Sequence, residues 1–441
     1  MSEILPHYDV NSTTWFYLSL LLIVAIYFRF TRFWSLRNLD LTLLLALSPT
    51  LLFLKESLAV GTAWMFVAPG VLLLRLFCDG LFARRPRMEQ NMNSPGLSFL
   101  IACALIFLAM RVATEPLSDS TINTMKRSEN LRHRVDASGD PAEAGPAASL
   151  ISVPFGAISE AVAPDEAVLQ AVMVTARVMA VLSHLAIVIA LFVLGYKLFG
   201  DPHSGLAMGL LHLLLPCTFY QASEVIHVLP SALILWALVA WKKPIVSGSL
   251  MGLACGTLFF PIFLLPLWAS FYGRQNALRF LASLVVVGCV LVGSLAFSSA
   301  DTNSLIQQVL GSIDWSVLTL RFQEEGGFWS DQDFAFRLPM AAAFFVGLIF
   351  VAIWPRKKTL EHLIAASTAI IVGTQFWYPQ QGGVYLLWYL PMMLVVVFRP
   401  RLPQCAPSSP APENENESKS LPKSDPPKLV GSASSPRAQF R

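Results

Sequence analysis

The chain has 441 residues, 55% of them hydrophobic and only 13% charged, with a formal net charge of +3. Its mean hydropathy of +0.59 is typical of polytopic membrane proteins and excludes an ordinary soluble domain. The basic residues fall in separate loops between apolar runs. A membrane explains this distribution and a nucleic-acid partner does not, so we predict no nucleic-acid site.

Residues 1–96 predict an N-terminal module of three spans. The apolar runs lie at 15–30, 39–54 and 61–77, each close to the ~20 residues that a helix needs to cross a bilayer core. The loop after the first run holds Arg29, Arg32 and Arg37. The positive-inside rule places this loop in the cytoplasm and the N-terminus outside. No basic stretch precedes the first run, so we expect a span there rather than a cleaved signal peptide.

A fourth run at 97–110 leads into a long polar loop at 111–164, which this topology places outside the cytoplasm. Long loops are translocated largely regardless of their charge, so the basic residues here do not contradict that placement. In the first half of the loop, Ile122, Met125 and Leu131 have helical spacing. The second half is rich in Ala, Gly, Pro and Asp, and we expect it to be mobile.

The stretch at 247–272 is apolar like the runs before it but is interrupted. The interruptions are Gly248, Gly252, Gly256, Pro261 and Pro266. Because proline removes helical donors and clashes with the preceding turn, we predict two half-helices that enter the membrane and return. This re-entrant hairpin keeps the basic residues of every later inner loop on the same side as Lys242 and Lys243.

The remaining runs complete a predicted transmembrane domain over 97–400. Three of them lie between 177 and 243, the last two on either side of Glu224, and the others lie at 278–297, 336–354, 360–377 and 384–398, with a second outer loop at 298–335. The predicted fold is an all-α, polytopic integral membrane protein with about eleven transmembrane helices and one broken re-entrant hairpin. Residues 401–441 are poor in large apolar side chains and predict a disordered cytoplasmic tail. We expect the protein in the cell membrane, with its C-terminus in the cytoplasm.

Several short motifs occur together in this domain. They are Arg177 opening a long span, the span ending at 194–200, Pro216, Tyr220, Gly252 followed by Pro261 and Pro266, and the segments 377–379 and 385–391. Over about 97–398 the chain resembles the GT-C superfamily of membrane glycosyltransferases, in particular its mannosyltransferase-like members, which take a sugar from a polyprenyl-phosphate carrier on the outer side of the membrane. It departs from them at Phe259 and Phe260, where members often carry a lysine, and in the three additional spans that precede the matching part.

The resemblance implies that Asp119 and Glu224 are the catalytic residues. Asp119, in the first outer loop, would be the general base, because an ionised carboxylate can take the proton of the acceptor hydroxyl. The alternative is that Ser118 and Asp119 cap a helix, and Glu115 is the next candidate. Glu224, in a short loop between two spans, would orient the acceptor or a metal. Its alternative is a carboxylate that only reaches interfacial water.

The substrate-binding candidates follow from the expected leaving group, a lipid phosphate, which needs a cation on the outer face. Arginine suits this task because its planar fork binds phosphate oxygens in pairs. The candidates are Arg127, Arg177, Arg321 and Arg337. For Arg177, a snorkelling position at the interface stays open. Tyr378 is a candidate for stacking on a sugar, and its alternative is a position in the interfacial aromatic belt. His227 is a candidate for a substrate contact, and its alternative is a structural hydrogen bond.

We therefore expect an enzyme that transfers a hexose or pentose, with inversion, from a polyprenyl phosphate to an extracytoplasmic acceptor, in contact with membrane lipids. The sequence specifies no cofactor, and a divalent metal stays open. Two other functions remain: a transporter or lipid flippase, which needs polar residues along a path at mid-membrane, and a catalytically inactive protein with the GT-C fold. The outer grouping of the acidic and basic candidates favours the enzyme.

Overall fold

The computed structural model describes residues 12–81, 90–135, 144–162, 168–311, 329, 334–378 and 384–402. In this part of the chain all regular structure is helical, as predicted. The first eight helices are α1 Ser12–Tyr27, α2 Leu36–Ala46, α3 Pro49–Glu56, α4 Leu58–Phe77, α5 Ser94–Thr114, α6 Asp119–His133, α7 Pro146–Val162 and α8 Val168–Lys197. The others are α9 Pro202–Leu214, α10 Pro216–Tyr220, α11 Val225–Val239, α12 Pro244–Cys255, α13 Leu265–Phe297, α14 Thr302–Gly311, α15 Phe334–Ile353, α16 Leu360–Thr374 and α17 Tyr385–Phe398.

Among the described residues, five segments are long and apolar enough to cross a membrane. They are Ala59–Leu81, Ser94–Thr114, Leu169–Lys197, Phe260–Phe297 and Ala335–Ile353. Six further apolar helices are shorter, among them α1, α11, α16 and α17. An all-helical chain with this set of segments is consistent with a helical membrane protein.

The helices differ in whether their apolar side chains face the protein or its surroundings. Nearly every side chain of α17 is buried, which places this helix in the interior of the bundle. In α15, by contrast, Phe336, Val346 and Ile349 are 65%, 68% and 59% exposed. Apolar surface on this scale is costly in water and normal against lipid, so α15 has the character of a helix at the lipid-facing side of the bundle.

The interrupted stretch folds as a hairpin, in agreement with the sequence. The glycines of α12 lie against successive turns in the second half of α13: Gly248 against Phe280 and Ser283, Gly252 against Leu284 and Val287, and Gly256 against Leu291. Because both residue numbers rise together, α12 and this part of α13 run parallel. The chain between them therefore has to return. It does so through a 3-10 turn, Phe260–Leu264, and the first residues of α13, and it reverses again at Gly273, with φ 69 and ψ 172.

The expected mobility of the second half of the loop at 111–164 is wrong over α7. The N–H groups of Gly145 and Ala147 donate to the carbonyl oxygens of Thr257 and Gly256, both at 2.9 Å, so the start of α7 is attached to the turn after α12. Small buried residues of α7, such as Ala148, allow it to pack closely on its neighbours. The first half agrees with its predicted helical spacing, since α6 covers it.

Two predicted spans are broken by proline. The run at 39–54 divides into α2 and α3, and the run that precedes Glu224 divides into α9 and α10. In both places the second helix begins with a proline, Pro49 or Pro216. Proline suits a first helical position because its missing donor would be unpaired there anyway.

Charged side chains join the N-terminal helices to the C-terminal ones at one end of the bundle. Arg75 donates to both carboxylate oxygens of Asp40, at 2.6 and 2.9 Å, and pairs with Asp79 at 3.2 Å. Arg399, after α17, also pairs with Asp79, and its Nη1 lies 3.5 Å from Glu361. We call these five residues the ion network. They connect α2, α4 and the turn after it, the start of α16 and the end of α17.

Candidate functional site

The two ends of the bundle can be assigned from contacts between α5 and α9. The two helices begin together, where the Ser94 hydroxyl lies 2.9 Å from Nδ1 of His203. At the other end of α5, Glu115, the residue after this helix, faces Ser223, which follows α10, the short helix after α9. The candidates Glu115, Asp119 and Glu224 belong to elements that meet at this second end, opposite the ion network.

A direct hydrogen bond connects the two loops that carry the predicted catalytic residues. The Ser118 hydroxyl donates to Oε2 of Glu224 at 3.0 Å. The same Ser118 oxygen accepts the N–H of Thr121 at 3.3 Å and so caps α6. Glu224, half-buried, stands immediately before α11. Ser118 therefore holds the start of α6 against the start of α11.

Asp119 is exposed at the first position of α6. Of the two residues considered as a cap, Ser118 makes the capping hydrogen bond. The carboxylate of Asp119 lies in the first turn of the helix, where the helix dipole favours a negative charge. Its neighbour Ser118 contacts Glu224, so the two predicted catalytic carboxylates belong to adjoining elements.

Glu115 adds a third carboxyl group to this end. Nη2 of Arg111 lies 2.9 Å from its Oε1, one helical turn earlier in the chain. Burial raises the pKa of Glu115, and the charge of Arg111 together with hydrogen bonding from Ser223 opposes this rise. We call Arg111, Glu115, Ser118, Ser223 and Glu224 the acidic cluster.

His227, one turn after Glu224, lies in a cluster of aromatic rings. The indole N–H of Trp388 donates to Nδ1 of His227 at 3.1 Å, and the two rings are stacked with their centroids 5.9 Å apart. On another side, Phe260 stacks on Trp388 at 4.3 Å with an interplanar angle of 7°. Tyr378 meets the same indole edge-on at 5.5 Å. This geometry favours the structural alternative for His227.

Tyr378 and Trp377 are buried, at 2% and 1% exposure, within the same group of rings. Neither is placed as a residue of an exposed aromatic belt, and neither presents an open face to a sugar in this conformation. Arg337, 1% exposed, donates from Nε to the carbonyl oxygen of Trp377 at 2.6 Å. Arg337 thus fixes the residues that immediately follow α16.

Arg177 and Arg127 lie on neighbouring helices, since α8 packs against α6. Nε2 of His184 lies 3.2 Å from the carbonyl oxygen of Ala222, in the turn that carries Ser223 and Glu224. Arg177 lies two helical turns before His184 in α8, and so nearer the start of this helix than the contact with Ala222. Its Nε is buried and has no hydrogen-bond partner in the described structure. Arg127 is 8% exposed, and Arg321 lies outside the described residues.

The described donors at this end do not form a metal site. Among the described residues, no three His, Cys, Asp or Glu side chains lie close enough together to hold a metal ion. Glu115 is already paired with Arg111, and Glu224 accepts from Ser118. The described residues therefore contain no set of ligands for the divalent metal that the sequence left open.

Comparison with known proteins adds no identity. No known protein-family model matches the sequence, and no curated protein matches it. The class that the fold defines is therefore an all-helical protein with five candidate membrane-spanning segments in its described part.

Three features of the acidic cluster were not among the sequence candidates: Arg111, Ser223 and the hydrogen bond from Ser118 to Glu224. The spacing of Arg111 and Glu115, four residues apart at a helix end, was a readable signal for an ion pair. The contact between Ser118 and Glu224 spans 106 positions of the chain, and nothing in the sequence marks it.

Proposed function

We propose that the chain is a membrane glycosyltransferase of the GT-C type, which moves a hexose or pentose from a polyprenyl phosphate to an acceptor outside the cytoplasm. The observation that carries this proposal is the hydrogen bond from Ser118 to Glu224. It joins the loop that holds Asp119 to the loop that holds the second carboxylate, next to the tip of the broken hairpin and its aromatic rings.

The proposed topology has about eleven spans. They are the five long segments, the shorter helices α1, α11, α16 and α17, and the α2–α3 and α9–α10 pairs. The segment from α12 to Gly273 is then a re-entrant hairpin. In this arrangement the ion network and Lys243 lie at the cytoplasmic end, and the acidic cluster lies at the outer end. The N-terminus is outside and the C-terminus is cytoplasmic, as the positive-inside rule requires.

In the proposed mechanism, Asp119 accepts the proton of the acceptor hydroxyl while the hydroxyl oxygen forms a bond to the anomeric carbon. The bond from that carbon to the phosphate oxygen breaks, and its electron pair leaves with the lipid phosphate. A single displacement inverts the anomeric configuration. Arg177, with its unpartnered Nε, and Arg127 would stabilise the charge on the leaving phosphate. Glu224 would orient the loop through Ser118.

A catalytically inactive GT-C protein is the second candidate, and one observation favours it. At the break of the hairpin, Phe260 lies flat on Trp388, in the region where the family often has a lysine. An apolar pair there supplies no charge to a phosphate. A transporter is less well supported, because Glu115 and Glu224 are joined at one end of the bundle, beside Asp119, rather than lying along a path through it.

The proposal is tested by glycan transfer in membranes supplied with radiolabelled polyprenyl-phosphate sugars. We expect Asp119→Asn and Glu224→Gln to reduce transfer by about 10²- to 10⁴-fold, the usual contribution of a general base or its positioning. Asp301→Asn is the matched control, since Asp301 is an exposed carboxylate whose capping of the Ser304 N–H an asparagine preserves.

Transfer by the native chain that persists unchanged in both variants would remove Asp119 and Glu224 from the mechanism. Absence of transfer from every donor by a stably expressed native chain would favour the inactive protein or the transporter.

A further inference from the structure

A second polar site lies at the end of the bundle opposite the acidic cluster. A cavity of about 400 Å³ there is lined by Arg29, Phe30, Thr31, Arg37, Gln90 and Asn91. Asn91 stands three residues before α5 begins. Since α5 has 21 residues, about 30 Å of helix separates this cavity from Glu115. The cavity is thus distinct from the proposed catalytic site.

Two asparagines fix the walls of the cavity. Nδ2 of Asn91 donates to the carbonyl oxygens of Ala25 and Phe28 at the end of α1, at 2.9 and 3.1 Å. The buried Asn38 accepts the N–H of Arg29 and donates to its carbonyl oxygen, both at 3.0 Å. The backbone of Arg29 is therefore held by Asn38 and not by its own side chain. The walls of the cavity are defined by specific hydrogen bonds and are not a chance gap between loops.

The chemistry of the lining indicates an anionic ligand that also carries a hydrogen-bond donor. The two guanidinium groups, of Arg29 and Arg37, are suited to phosphate oxygens. Both polar atoms of the Gln90 side chain, Oε1 and Nε2, are buried and have no hydrogen-bond partner in the described structure. A buried amide without hydrogen-bond partners lowers the stability of the folded protein. A phosphate oxygen would accept from Nε2, and a hydroxyl group beside the phosphate would donate to Oε1.

The surroundings of the cavity distinguish a lipid from a soluble phosphate. Phe30, Phe33 and Trp34, in the same loop, are 67%, 62% and 96% exposed. Exposed aromatic side chains at the end of a membrane helix are typical of the membrane–water interface. A ligand at this place is therefore within reach of lipid headgroups.

We propose that this cavity binds the headgroup of an anionic phospholipid that bears a hydroxyl group, with Arg29 and Arg37 on the phosphate and Gln90 on both the phosphate and the hydroxyl. Basic pockets between transmembrane helices on the cytoplasmic side are a known kind of site for such headgroups. The proposal rests on the proposed topology, which puts this cavity at the cytoplasmic end, and it stands independently of any transferase activity.

The test is native mass spectrometry of the full-length protein in detergent, incubated with equal amounts of phosphatidylglycerol and phosphatidylcholine. The native protein retains phosphatidylglycerol in preference. Arg29→Gln and Arg37→Gln each reduce this adduct about tenfold, since each removes a charge-assisted pair of hydrogen bonds. Arg32→Gln is the matched control, because Arg32 is an exposed arginine of the same loop that does not line the cavity.

A loss of the adduct in Arg32→Gln as large as in the other two variants would show a general surface charge effect and overturn the site. Inorganic phosphate that displaces phosphatidylglycerol at equal concentration would overturn the lipid as the ligand. Elution of each variant as the same monodisperse species verifies that a lost adduct reflects binding and not unfolding.

Discussion

Among single residues, three carboxyl groups at the proposed outer end have different surroundings and therefore different chemistry. Glu115 is half-buried and paired with Arg111. Glu224 is half-buried and accepts from Ser118. Asp119 is exposed and within reach of an acceptor arriving from water. This division of surroundings is why we assign the base to Asp119 and a positioning role to Glu224.

The raised pKa of Glu115 predicts a pH-dependent stability. Because burial lifts this pKa above the ordinary value of 4.5, the folded protein keeps the proton at pH values where the unfolded chain has lost it. The stabilisation is complete below pH 4.5 and is lost as the pH rises through the folded pKa. In Glu115→Gln, which cannot titrate, we expect thermal stability in detergent to fall less steeply above that pH. Identical slopes for the native protein and the variant would contradict this assignment.

The sequence could predict part of this arrangement. A serine just before a helix of suitable spacing is a standard capping signal, and the Ser118–Asp119 pair carries it. Which carboxylate the capping hydroxyl meets depends on how α6 sits against α11. That contact is set by tertiary packing over a long separation in sequence, so spacing alone carries no information about it.

Among the helices and turns, the broken hairpin is the feature that the sequence predicted best. Its glycines have a steric reason: a Cβ at Gly248 would overlap the carbonyl oxygen of Phe280. The α7 segment shows the opposite case. Its Ala, Gly and Pro content suggested mobility, but alanine is also the best helix former, and only contact with Gly256 and Thr257 decides between the two.

The return of the hairpin predicts a specific requirement at Gly273. Its φ of 69 with ψ of 172 is a conformation that residues with a Cβ rarely adopt. We expect Gly273→Ala to lower the free energy of unfolding by about 1–3 kcal/mol. Gly288→Ala is the control, because Gly288 lies in α13 with no neighbouring atom within 4 Å of the position that a Cβ would take, and alanine there should be neutral or slightly stabilising. Equal thermal unfolding temperatures for the two variants would show that the reversal tolerates a side chain.

Across the bundle as a whole, polar contacts tie the N-terminal helices to the C-terminal ones toward both ends of α4. The ion network joins α2 and α4 to α16 and α17. Toward the other end of α4 and α16, Nε2 of Gln375, the residue after α16, donates to the carbonyl oxygen of Met65 at 3.0 Å. The three leading spans of the prediction therefore pack as part of the described bundle, and their sequence, read alone, gave no sign of these partners.

The ion network predicts a large effect from the loss of one member. Arg75→Met leaves the buried carboxylates of Asp40 and Asp79 without this cation, and breaking a buried pair typically costs about 3–5 kcal/mol. The control is Lys243→Met, which removes an exposed positive charge. The double variant Arg75→Met, Asp40→Asn should recover part of the loss. Thermal unfolding in detergent measures all three, and an Arg75→Met protein as stable as Lys243→Met would show that the network contributes little.

The proposed activity of the bundle is the transfer of sugar from a lipid phosphate at its outer end. The decisive measurement is transfer by the purified full-length protein, reconstituted in liposomes with radiolabelled polyprenyl-phosphate hexoses and pentoses and a panel of hydroxyl acceptors. We expect a labelled product whose anomeric configuration is the inverse of that of the donor. A folded, monodisperse protein that releases no sugar from any of these donors, or a product that retains the configuration, would contradict the proposal.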